Sequence, residues 1–252
     1  MVRNKKILWM IVLSVFCFLS SKNVYAEEYY TNGYGVSFDR AQYDFFTEFF
    51  YDGYQAYMTQ EMLDEYDGFD FENTVIEKTG LCPNQTHINP GNQVSPQDFP
   101  YLDTYAKEIK MAKACNSFFC RVSCTVTWHG TPTVQSHDVI GAYLNGPTRF
   151  STPATMYTSS NGSGYETDIV YDTDGYGAVV DIPNASDIIV SQSFSYTGTG
   201  LIFMSYQHAV STVTLNEAKS FSIGLAGYGN VFIYPSNIGD SYDQMGGVYM
   251  TV

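Results

Sequence analysis

Between Ser37 and Met58 the chain reads SFDRAQYDFFTEFFYDGYQAYM, and its apolar positions recur with the period of a helix. At about 100° per residue, Phe38, Tyr43, Phe45, Phe46, Phe49, Phe50, Tyr54 and Tyr57 share one half of the wheel. Arg40, Asp44, Thr47, Glu48, Asp52 and Gln55 lie on the other half, with Tyr51 among them. The pattern predicts an amphipathic helix with Ser37 as its N-cap and Asp39 in its first turn, where the macrodipole favours a negative charge. Large apolar faces are seldom left in solvent, so Phe46, Phe49 and Phe50 are expected to pack against the rest of the protein. Gly53, on the same stripe, is the weak point of the helix. A second short helix is expected after Thr59, and Pro100–Ala114 also reads as helical, with Leu102, Tyr105, Ile109 and Ala112 on one side. The stretch between, punctuated by Pro83, Pro90, Pro96 and Pro100, reads as irregular.

From Cys115 onward the period changes to two. Cys120, Val122, Cys124, Val126 and Trp128 alternate with Arg121, Ser123, Thr125 and Thr127, and similar short runs recur to the end of the chain. Asn145-Gly146, Asn161-Gly162, Asp174-Gly175 and Gly198-Thr199-Gly200 separate them as turn signals. Many short strands at this spacing, without strand–helix alternation, predict a mainly β protein: a β-sandwich or jelly-roll-like domain over residues 115–252, preceded by a helical and irregular segment over 27–114. Residues 1–26 read as a signal peptide, with Arg3, Lys5 and Lys6 before the apolar run Ile7–Leu19 and small residues ahead of a cut after Ala26. Export without a further membrane span is therefore expected.

Charge narrows the partners. Cleavage removes Arg3, Lys5, Lys6 and Lys22, leaving eight basic residues against 26 acidic ones, a net charge of −18. No basic stripe remains for phosphates to follow, so nucleic acid is not an expected partner. Four cysteines, Cys82, Cys115, Cys120 and Cys124, remain in an oxidising compartment, and disulfides are expected. Cys120 and Cys124 on one strand stand about 13 Å apart and cannot pair with each other. Two pairings follow: Cys82–Cys120 with Cys115–Cys124, or Cys82–Cys124 with Cys115–Cys120.

Candidate chemistry is sparse. His129 and His137 flank what reads as a hairpin connection, WHGTPTVQSHD, and with His208 or Asp138 they make a candidate metal set. Asp172 and Asp174, in Asp172-Thr173-Asp174-Gly175, are the fragment most like a calcium loop, against the simpler reading of a hairpin turn. Calcium is the one cofactor expected if any is bound. No catalytic residue is assigned; a secreted hydrolase with an Asp/His site is the alternative, and gathering of His129, Asp138 and His208 in one open cleft would mark it. The 22 tyrosines, among them Tyr157, Tyr165, Tyr171, Tyr176, Tyr228, Tyr242 and Tyr249 in or beside turns, suit contact surfaces instead. The leading expectation is a secreted, non-catalytic protein that binds a protein or glycan surface. Self-assembly through aromatic or strand surfaces is a third possibility.

Two segments together, AQYDFFTEFFYDGYQAYMTQE (Ala41–Glu61) and TVTWHGTPTVQSHDVIGAYL (Thr125–Leu144) with SYQHAV (Ser205–Val210), resemble a group of uncharacterised secreted proteins of gut-dwelling Gram-positive bacteria. The resemblance implies export and the two-part layout. It brings no activity, ligand or site residue with it.

Overall fold

The structure is a computed structural model that describes residues 29–81, 107–146, 149–165, 168–225, 230–243 and 247–251; the expected signal peptide, Cys82 and the proline-rich stretch beyond it lie outside the described residues. Along the chain run β1 (Tyr30–Thr31), β2 (Ser37–Phe38), α1 (Arg40–Phe49), a 3-10 turn (Tyr54–Tyr57), α2 (Gln60–Asp64), β3 (Glu77–Leu81), β4 (Lys107–Cys115), β5 (Cys120–Trp128), β6 (His137–Asn145), β7 (Arg149–Phe150), β8 (Ala154–Ser159), β9 (Gly162–Tyr165), β10 (Ile169–Asp172), β11 (Gly175–Asp181), β12 (Ile189–Thr197), β13 (Leu201–Gln207), α3 (Leu215–Ala218), β14 (Ser222–Ile223), β15 (Phe232–Ile233), α4 (Ser236–Gly239) and β16 (Val248–Thr251).

Two antiparallel sheets make the sandwich. One has five strands in the order β10-β11-β6-β13-β16. The other has seven, β3-β4-β5-β12-β8-β9 with β7 on β12. Ile109, Met111, Val122, Cys124, Val126 and Phe194 of the larger sheet meet Ile140, Ala142, Tyr176, Ala178, Ile202 and Met204 of the smaller one in a common core. The protein is therefore mainly β, a sandwich preceded by an amphipathic helical segment, as the alternating strands predict.

Both outer faces are covered as well. Phe46, Phe49 and Phe50 are buried together with Ala112, Ala114 and Met156 of the larger sheet. Ser123 Oγ donates to the Phe49 carbonyl at 2.5 Å, and Lys110 Nζ donates to the Phe50 carbonyl at 2.5 Å. Sheet side chains thus satisfy carbonyls that the end of α1 leaves open, and a cation sits where the helix dipole favours one. The Arg121 guanidinium contacts Glu65 Oε2 at 2.7 Å and lies 4.6 Å from the Tyr66 ring. On the other side, Val139 and Val179 of the smaller sheet are covered by Ala209, Val213, Phe221, Val231, Phe232 and Tyr242. Arg121, Ser123 and Thr125, which alternate with the core row of β5, are therefore themselves buried.

Several expectations are corrected. Ser37 lies in β2, paired with Thr31. Asp39 is the N-cap of α1, in a capping box with Gln42, because its side chain reaches the third helical amide. The helix ends ten residues on, and Gly53, at φ 89°, redirects the chain into the 3-10 turn. Thr59 does cap α2, accepting from the Met62 amide. Within Pro100–Ala114 the described part is strand, not helix: β4 pairs with β5 from Lys107↔Trp128 to Cys115↔Cys120. β3 pairs in turn with β4, so the larger sheet begins well before Cys115. His129 and His137 do not flank a hairpin, because β5 and β6 belong to different sheets. Of the short runs expected toward the end of the chain, β13 stops at Gln207, and Thr214 caps α3 in a second capping box with Glu217.

Candidate functional site

The cysteines settle into one bridge and one thiol. Cys115 and Cys120 form a disulfide across the β4–β5 hairpin, with Cα atoms 4.0 Å apart. This bridge belongs to the second of the two expected pairings and excludes Cys115–Cys124. Cys82 lies outside the described residues, and among them Cys124 is a free, buried thiol. Burial pushes its pKa well up, which keeps it a poor nucleophile. The metal candidates are dispersed. His129 Nε2 lies 3.4 Å from Glu108 Oε2, and His137 Nδ1 lies 3.7 Å from Asp181 Oδ1 across the β6–β11 pair. Asp172 closes the β10–β11 turn: it accepts from the Thr173 amide at 2.7 Å and from the Ile223 amide at 3.0 Å. Those backbone hydrogen bonds hold its carboxyl below the usual range. Asp174 lies in the same two-residue turn, between Asp172 and its partner Gly175. Among the described residues no three His, Cys, Asp or Glu side chains gather as a metal set.

Asp138 and His208 do meet, but in the interior. At one end of the sandwich, where β4 and β6 begin and β5 and β13 end, Lys107, Asp138, His208 and Asp243 are all fully buried. His208 Nδ1 lies 2.9 Å from Asp138 Oδ1, Tyr206 Oη donates to Asp138 Oδ2, and Trp128 Nε1 donates to Tyr206 Oη at 3.2 Å. Lys107 Nζ contacts Asp243 Oδ2, and the His208 amide donates to Asp243 Oδ1 at 3.1 Å. The Trp128 ring has Lys107 Nζ 5.1 Å from its centroid and the His208 ring edge-on at 4.8 Å. Burial works against a charged His208, yet the Asp138 carboxylate, by charge and hydrogen bond, outweighs it and raises the ring's pKa. Burial, reinforced by Asp138, raises the Tyr206 phenol far above its ordinary value, so it remains a donor. This cluster is not the open cleft expected of a hydrolase, and His129 is not part of it. The sequence reading named Asp138 and His208 but missed Lys107, Asp243, Tyr206 and Trp128 as their companions.

An accessible candidate lies elsewhere, at the tip of the β4–β5 hairpin. The Cys115–Cys120 bridge clamps Asn116-Ser117-Phe118-Phe119, and Asn116 Oδ1 accepts from the Phe118 and Phe119 amides at 2.9 and 3.0 Å. This turn presents Phe118 at 82% exposure. Beside it runs a groove of about 540 Å³ lined by Asp70, Asn73, Thr74, Val75, Lys113 and Asn116, among others. Its far wall is a fixed turn: Asp70 accepts from the Asn73 side-chain amide at 2.8 Å and the Asn73 backbone amide at 3.2 Å. The side-chain bond to Asn73 is the main reason the Asp70 carboxyl stays below the usual range. Asn116 Nδ2 is buried and donates to no group among the described residues. The signal for this site was in the sequence: two aromatic residues among the four that separate Cys115 from Cys120. Of the tyrosines expected at contact surfaces, Tyr171 and Tyr249 are exposed, whereas Tyr176 and Tyr242 are core residues. Tyr228 lies outside the described residues.

No family model matches the chain, and no curated protein matches it. Among solved structures it is similar to the collagen-binding domain of a Staphylococcus aureus adhesin, at 9% identity over 52% of this chain and 87% of that one, with a TM-score of 0.30. It is similar also to the KRT10-binding region domain of the pneumococcal serine-rich repeat protein PsrP, at 10% identity over 53% and 86% of the two chains, TM-score 0.28. A structure from work on Streptococcus parasanguinis adhesion by Fap1 fimbriae aligns at 15% identity over 57% and 80%, TM-score 0.32.

Proposed function

We propose that this is a secreted, non-catalytic binding protein whose disulfide-clamped hairpin tip and adjoining groove take a glycan. The observation that carries this reading is Phe118, an apolar ring held almost wholly in solvent by a bridge and two hydrogen bonds. A turn whose backbone is fixed before binding loses little main-chain freedom on contact, which raises affinity. The groove beside it offers carboxylate, amide and hydroxyl groups from Asp70, Asn73, Thr74 and Asn116. That combination, an aromatic platform with several hydrogen-bonding groups, suits a sugar ring, which has apolar faces and polar edges. The expected signal peptide supports export. Among the described residues no helix is long and apolar enough to cross a membrane.

A glycan array probed with the mature protein tests the reading. The expected result is binding to a restricted set of glycans that Phe118→Ala weakens at least about tenfold, the size of losing one stacked ring. Tyr249→Ala, at an exposed ring far along the sequence, should leave it unchanged. An array that stays silent, or binding indifferent to Phe118, overturns the assignment.

A further inference from the structure

The buried pair Lys107–Asp243 is an unusual use of two charged residues in a small sandwich. Desolvating an ammonium and a carboxylate is costly, and a buried pair is often no better than an apolar replacement. Here the surroundings hold the two groups in reactive contact. Lys107 Nζ meets Asp243 Oδ2, the His208 amide holds Asp243 Oδ1 at 3.1 Å, and both side chains are closed off from solvent. An acid–base pair, His208 with Asp138, stands in the same cluster, and the Trp128 ring lies against both Lys107 and His208.

We infer that Lys107 and Asp243 join through an intramolecular amide bond formed by the folded protein itself. The step is a condensation that needs no oxidant, reductant or co-reactant. One proton moves from the Lys107 ammonium to the Asp243 carboxylate, which replaces two buried charges by two neutral groups. The Nζ lone pair then forms a C–N bond to Asp243 Cγ. The negative charge that develops on the carboxyl oxygen is met by the His208 amide, a donor already aimed at that group. A second hydrogen leaves Nζ, the His208–Asp138 pair carries it to the departing oxygen, and the Cγ–O bond breaks to release one water. Starting from ammonium and carboxylate, both hydrogens of that water come from Nζ, so the atoms balance. Exclusion of bulk water from the cluster removes the reactant for the reverse step. The bond would tie the first residue of β4 in the larger sheet to the segment that follows α4, closing a covalent loop across the sandwich.

The test is the intact mass of the purified full chain, denatured and reduced, with its N-terminus read by sequencing. The expected mass is lower than the sequence mass by one water, about 18 Da, and proteolysis should give a branched peptide that contains both Lys107 and Asp243. Asp243→Asn supplies an internal check that keeps the site: the same amide would form with loss of ammonia, about 17 Da, in place of water. Lys107→Arg should carry its full sequence mass. A wild-type chain at full mass after folding, or a deficit that maps to other residues, overturns the bond.

Discussion

Gly177 shows how much one residue position can depend on a layer far along the chain. It lies in β11, where strand propensity alone disfavours glycine. A Cβ there would sit 2.9 Å from Phe232 Cε1 and closer still to Phe221. The missing side chain is what lets these two rings, edge-to-face with each other, pack close against the backbone of β11. Gly177→Ala is therefore expected to cost about 1–3 kcal/mol through overpacking. Chemical denaturation should also show that combining it with Phe221→Ala costs less than the sum of the two single changes. Cys124 makes a second residue-scale case. It should resist a thiol reagent in the native protein and be alkylated only in denaturant, as peptide mapping would show; labelling of the folded chain would contradict its burial. For His208 the sign of the pH effect follows from the raised pKa. Its contribution to stability is fully present below the unfolded value of about 6.5 and is lost as pH rises through the higher folded value. Melting temperatures should therefore fall between pH 5 and pH 9 by more in the wild type than in His208→Gln.

At the scale of elements, α1 offers the sharpest contrast between pattern and contact. Phe46 and Phe49 are fully buried, so truncating either to Ala is expected to cost about 3–5 kcal/mol in denaturant melts. Asp39→Ala should cost about 1 kcal/mol as the loss of a cap, whereas Ser37→Ala should change little. The reverse ranking would restore the longer helix that the sequence predicts. The aromatic stripe was legible because period and amphipathicity are local properties. The helix limits were not, since Ser37 and Asp39 are both good caps and only the pairing of β1 with β2 decides between them. β4 hid for a different reason. Lys107 faces the interior in the row of Ile109 and Met111, and this polar residue at a core position breaks the period-two pattern. A run with apolar residues three and four apart then looks helical. Its true partner, Asp243, is 136 residues away, a separation at which no local pattern carries information.

For the whole molecule, the layers bear on where one cooperative unit ends. Composition divides the chain near Cys115, yet β3 and β4 from the first part are strands of the larger sheet. The helix layer shares Ala112, Ala114 and Met156 with that sheet, and its closing carbonyls depend on Ser123 and Lys110. Neither surface is complete alone: without α1 the outer face would expose small apolar and polar residues, and α1 alone would expose three phenylalanines. We expect a single unfolding transition. Trp128, the one tryptophan among the described residues, reports the sandwich core by fluorescence. Far-ultraviolet circular dichroism follows the secondary structure of all layers. Coincident denaturant midpoints from the two probes would make the helical segment part of one domain. A separate, earlier transition in the dichroism with Trp128 unmoved would instead make it a subdomain docked on a self-sufficient sandwich. In that case, sharing of core residues would not by itself be enough to couple the two.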